Sequence, residues 1–185
     1  MMITKDKTAS KFSIAYFMLV PVVCLLLISF SNRPTSQAAP FEDGQKYVGE
    51  DIPSVSPIVI EKSLGIASDF GYRIDPITNK RKFHTGVDFR SSEGSLVMST
   101  ANGIVLESEN DSSRGNFIVV KHGEMYMTSY SHLKSAAVTV GDLLAKGQTI
   151  GYVGNTGLST APHLHYEILK DGKPVDPKDY LPKVK

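Results

Sequence analysis

His165-Tyr-Glu-Ile-Leu169 and Pro174-Val175 stand on either side of Asp171-Gly172, and this pattern decides the fold class. A short β-rich run, a two-residue turn and a second run mark a β-hairpin. The same grammar recurs upstream. Leu96-Val-Met-Ser-Thr-Ala101 and Ile104-Val-Leu106 flank Asn102-Gly103, so a hairpin is expected there too. Phe117-Ile-Val-Val-Lys121 and Tyr126-Met-Thr-Ser-Tyr130 flank a turn at Gly123. No window of helical length has a convincing 3.6-residue repeat; Lys134 to Leu144 comes nearest, and Gly141 interrupts it. The expectation is an all-β domain, a compact antiparallel sheet or sandwich, following an N-terminal apolar helix and a linker.

The N-terminus reads differently. Lys5, Lys7 and Lys11 precede an apolar stretch from Ile14 to Phe30, the order of an export signal or a retained single membrane anchor through residues 14–30. Ser36-Gln-Ala38 offers small residues for signal cleavage. Cys24 lies mid-run behind Pro21-Val-Val and does not read as an acylation site. From Ser31 to Pro57 the chain is polar and Pro-punctuated, as a tether is. The expected organisation is an address over 1–38, a linker over 39–60 and one domain over 61–185, placed in the periplasm or cell envelope. A linker segment near residues 45–65 covering the cleft is one further possibility.

Composition narrows the chemistry. The N-terminal 39 residues hold four bases and one acid, leaving 16 basic against 18 acidic residues in the rest of a chain whose net charge is +1. No basic stripe fits a phosphate backbone, which argues against nucleic acid as a partner. The one cysteine sits in the apolar run, so the domain has no internal disulfide and no thiolate ligand. Any metal there is held by His, Asp or Glu, a donor set that suits zinc.

Four of the five histidines fall in three short motifs: His84-Thr-Gly-Val-Asp88, Tyr130-Ser-His-Leu133, and His163-Leu-His165. A zinc ion that does chemistry takes three N/O ligands and leaves one position open. His84, Asp88 and one of His163 and His165 supply that set; spacing alone leaves open which. On a strand His163 and His165 face the same way, about 7 Å apart at the backbone. His84 and Asp88 would be roughly 13 Å apart if fully extended, so a kink at Gly86 is expected to fold them together. His122, beside Gly123 at a turn, reads as structural, and Tyr130 as packing. Arg73 reads equally as a cleft contact or a surface residue. Gly154-Asn-Thr-Gly157 lacks the lysine and following helix of a phosphate loop and reads as a tight loop beside the cleft.

With these motifs together, the chain resembles the lysostaphin/LytM-type peptidoglycan endopeptidases. The likeness runs from about Phe70 to Leu181. It includes Phe70-Gly-Tyr-Arg73, Phe83-His-Thr-Gly-Val-Asp-Phe89, Tyr130-Ser-His-Leu133, Gly154-Asn-Thr-Gly157, Pro162-His-Leu-His165 and Pro174-Val-Asp-Pro177. Ala161 stands where the family often has Gly, and Tyr166 where it often has Phe. The resemblance implies Zn2+ held by His84, Asp88 and His165, with His132 and His163 handling protons and stabilising the transition state. It also implies a peptidoglycan peptide substrate, cut at a cross-link or stem-peptide amide. The alternative is a non-catalytic module of the same fold that activates another cell-wall hydrolase through a regulatory partner; such a module is expected to lack a ligand, and this chain lacks none.

Overall fold

The computed structural model describes residues 50–59 and 63–182; the apolar run over 14–30 and Cys24 lie outside the described residues. The described residues form twelve strands: β1 (Ser63–Ser68), β2 (Gly71–Ile74), β3 (Arg81–His84), β4 (Val87–Ser91), β5 (Leu96–Met98), β6 (Gly103–Asp111), β7 (Gly115–His122), β8 (Tyr126–Ala136), β9 (Leu143–Leu144), β10 (Thr149–Val153), β11 (His163–Lys170) and β12 (Lys173–Val175). No helix among the described residues is long and apolar enough to cross a membrane.

Ten strands join one antiparallel sheet, with β1-β4-β11-β8-β7-β6-β9 in order, β12 beside β11, and β10 bridging β8 and β5. β2 and β3 form a separate hairpin. The fold class expected from the sequence is therefore the one observed. Two expected hairpins also form. β11 and β12 close through Asp171 (φ 49°) and Gly172 (φ 71°), both in the left-handed region that such two-residue turns require. β7 and β8 close through Gly123 (φ 56°).

The hairpin expected at Asn102-Gly103 does not form. β5 pairs with β10, whereas β6 pairs with β7 and β9. Neither Asn102 nor Gly103 has positive φ. Instead Asn102 serves three distant partners: its carbonyl accepts from His122 Nδ1 at 2.7 Å, its side-chain oxygen accepts from Lys146 N at 2.8 Å, and its N–H donates to the Glu50 carbonyl at 2.9 Å. Long-range pairing outweighs the local turn signal.

Alternation sorts the strands' side chains. Leu164, Tyr166 and Ile168 of β11, Val87 and Phe89 of β4, and Tyr130 of β8 enter the core, while His163, His165, Glu167, Asp88 and Arg90 take the other face. Ile58, from the segment before β1, is also in the core, bridged to Val97 of β5. Behind the site strands lies a buried polar chain. His122 Nε2 accepts from Thr128 Oγ1 at 2.7 Å, and Thr128 Oγ1 lies 3.0 Å from Tyr130 OH. Thr100 Oγ1 then joins Tyr130 OH at 3.2 Å to Tyr166 OH at 2.9 Å. Satisfied in this way, the hydroxyls lock β8 against β11. Tyr130 is thus a packing residue, and His122 a buried structural one.

β8 changes neighbours midway. Residues 126–131 pair with β11 and residues 133–136 with β10. At the changeover Ile118 faces Tyr130 while Asn116 faces Leu133, which leaves one extra residue on β8. His132 sits at that bulge with φ 63°. A bulge re-aims a side chain out of the strand's alternation, and here it aims a histidine.

Candidate metal centre

Three strands deliver the cluster. His84 ends β3, Asp88 is the second residue of β4, and His165 is the third of β11, directly opposite Asp88 in register. The chain bends at Gly86 between β3 and β4, as expected. Glycine is needed there because a Cβ would run into the Tyr166 carbonyl and come within 2.9 Å of Glu167 Cγ. The reason is close approach of β11 rather than a left-handed backbone.

Hydrogen bonds on the outer side of each ring decide what faces inward. The Asp69 carbonyl can only accept, so His84 carries its proton on Nδ1, at 2.7 Å, and turns Nε2 to the cluster. The Glu167 carboxylate accepts from His165 Nε2 at 2.9 Å, turning Nδ1 inward. The inward atoms then crowd together. His84 Nε2 lies 3.1 Å from Asp88 Oδ1 and 3.0 Å from His165 Nδ1, which is 2.8 Å from Asp88 Oδ1. Three electron-pair donors converge, all within 4.8 Å of one another, on residues that are largely buried. Such a set calls for a cation, and two imidazole nitrogens with one carboxylate oxygen fit zinc. The outward acceptors are the kind of partner that orients metal-binding histidines.

Protonation agrees with that demand. Burial opposes charge on His165, but the hydrogen bonds to Asp88 and Glu167 outweigh it and raise its pKa to about 9. Burial likewise favours the neutral acid at Asp88, yet its contacts with His165 and His84 hold its carboxyl well below the usual range. Without a metal, a proton takes the cation's place; metal binding releases it. The second Asp88 oxygen meets Arg73 Nη2 at 3.4 Å, so Arg73 is tied to the cluster rather than to open surface. Arg73 Nε and Ser131 Oγ, which both line the cleft, are buried without partners.

His163 and His132 complete one wall, their rings 4.7 Å apart. His163 Nδ1 donates to the Ala161 carbonyl at 2.8 Å, and its Nε2 lies 3.8 Å from Asp88 Oδ1. His132 Nδ1 donates to the Thr156 carbonyl at 2.8 Å. The Gly154-Asn-Thr-Gly157 loop therefore serves as the clamp for His132. Burial lowers the His132 pKa to about 4, despite that hydrogen bond. The resting ring is thus neutral near pH 7. Glu167 was missed in the sequence, although its position two residues beyond His165 continues the alternation of His163 and His165. Residues 50–59 contribute nothing to the cleft lining.

Residues 82–177, just over half of the chain, match peptidase family M23. The chain belongs to that family. It is 39% identical over 118 residues to the peptidoglycan DD-endopeptidase ShyA of Vibrio cholerae, covering 63% of this chain and 27% of that relative. The M23 domain also superposes on the crystal structure of a zinc-containing peptidase from Vibrio cholerae, with a TM-score of 0.63 and 36% identity over 68% of this chain and 39% of that one. The catalytic domain of lysostaphin from Staphylococcus simulans gives a TM-score of 0.57 with 30% identity, over 62% and 90%. The chain spans about a quarter to a third of the length of curated relatives such as ShyA and the Mpg carboxypeptidase/endopeptidase of Neisseria meningitidis.

Proposed function

We propose that this M23 protein is a zinc-dependent endopeptidase that hydrolyses amide bonds in peptidoglycan peptides. The observation that carries the reading is the convergence of His84 Nε2, Asp88 Oδ1 and His165 Nδ1 beside two further histidines. His84, Asp88 and His165 hold the ion, which when bound supplies a Lewis acid and a water that ionises near pH ~7. The cleft, of about 910 Å³, has room for a peptide.

The chain's own residues handle the protons. His163 presents Nε2 to the cluster, takes the proton of the attacking water and returns it to the leaving amine. His132, neutral at rest, faces the same space. The proton taken from the water enters the His132–His163 pair, so a protonated ring meets the oxyanion only once that charge exists. Asp69, Glu167, Thr156 and Ala161 hold the four rings in the required tautomers.

The names of the relatives support peptidoglycan as the substrate. The lysines before an apolar run support an exported domain in the periplasm or envelope, released or anchored. A complete ligand set argues against a non-cutting regulator. The test is mass spectrometry of purified peptidoglycan digested by the protein with zinc, without it, and with a chelator. New peptide ends that require metal are expected, and they name the bond. Zinc-loaded protein that cuts no wall type would overturn the reading in favour of the regulator.

A further inference from the structure

The cleft contains four cations, and three of them are already paired. Arg73 meets Asp88 at 3.4 Å, Lys82 meets Asp75 at 3.9 Å, and Arg114 meets Asp111 at 2.7 Å and Glu107 at 3.7 Å. Arg90 is the exception. It lines the cleft and is exposed, and among the described residues no carboxylate lies within ion-pair distance of it. Its place is fixed by the sheet. Arg90 is two residues beyond Asp88 on β4, on the same face, and directly opposite His163 on β11. Residues so paired have Cβ atoms roughly 4.5–5.5 Å apart.

We propose that Arg90 is a specificity residue that receives a carboxylate on the residue supplying the leaving amine. The inference rests on the hydrolase reading above, because it takes its orientation from His163, the group that returns a proton to that amine. A guanidinium presents a planar fork of donors that matches a carboxylate, and it stays charged at every working pH. Asp88, two residues away on the same face, already has its oxygens engaged: Oδ1 faces His84 and His165, and Oδ2 faces Arg73. Arg90 therefore offers, among the described residues, a positive charge without an acidic partner one residue pair from the metal cluster. In a peptide substrate the anion of that chemistry is a carboxylate, either at a chain end or on a side chain.

The test uses zinc-loaded full-length protein and matched peptides in which the leaving residue carries a carboxylate or the corresponding carboxamide. One pair varies the chain-end group and a second pair varies a side-chain group, so the pair that responds identifies the source. Wild type is expected to favour the carboxylate by about 10- to 100-fold in kcat/KM, the range of a charge-assisted contact. Arg90→Gln should bring that ratio close to one, and Arg90→Lys should keep only part of it. Wild type indifferent to the change in both pairs, or Arg90→Gln with the ratio intact, overturns the proposal. Calorimetric binding of the leaving-side fragments, carboxylate against carboxamide, gives the same ratio without cleavage. A protein that binds with this preference but cuts nothing would sink the hydrolase reading and keep the assignment of Arg90; binding without preference would sink the assignment itself. Zinc content measured on each variant shows that the site remains filled.

Discussion

Glu167 Oε1 accepts the Nε2 proton of His165 across 2.9 Å and also receives the Thr85 hydroxyl. One carboxylate thereby ties the chain just after His84 to β11 and fixes which His165 nitrogen faces the metal. Partners of this kind are typically worth about 10- to 100-fold in metal affinity. Glu167→Ala should weaken zinc binding by that factor in a chelator competition. Glu167→Gln, which keeps an acceptor oxygen, should lose less. Equal affinity in all three proteins would remove the role.

Ligands and proton carriers should separate cleanly. His165→Ala and Asp88→Ala are expected to lose both bound zinc and cleavage, with the sheet intact by circular dichroism. His163→Ala and His132→Ala should keep zinc but lose about 10²–10⁴ in kcat. Metal analysis beside single-turnover rates checks this, and wild-type cleavage by Asp88→Ala would refute the cluster's role.

Gly86 stands where β4 and β11 approach too closely for a side chain. Gly86→Ala should destabilise the domain by about 1–3 kcal/mol, the usual cost of overpacking. The strain also falls between His84 and Asp88, so zinc affinity should drop with it. Urea midpoints and chelator titrations on the same samples would show whether the two losses move together.

His122 gives the stability a pH dependence of known sign. Burial lowers its pKa below 6.5, against the raising effects of the Asn102 carbonyl and Asp51. Above pH 6.5 the ring is neutral in both the folded and unfolded chain. Below that value the unfolded chain binds a proton that the folded chain refuses, so stability falls as the pH drops toward the folded pKa. His122→Gln should be less stable at neutral pH, having lost part of the Thr128–Tyr130 chain, yet should show a shallower acid decline than wild type. Parallel declines from urea melts between pH 7.5 and 5 would contradict this assignment.

The sequence alone determined the all-β class, the turns at Asp171-Gly172 and Gly123, the shared face of His163 and His165, and the bend at Gly86. Each rests on spacing along a strand or on the few residues that tolerate a tight turn, and those are local properties. Tertiary structure decided the rest. The turn pair Asn102-Gly103 became a junction because β5 and β6 found better partners far along the chain. The left-handed backbone of His132 follows from a bulge, and a bulge exists only where β8 must pair with β11 on one half and β10 on the other. The neutrality of His132 arises from burial, and the inward nitrogens of His84 and His165 from the Asp69 carbonyl and Glu167. Spacing names candidate ligands, but which atom faces the ion depends on what lies behind each ring, and only the folded chain brings that partner there.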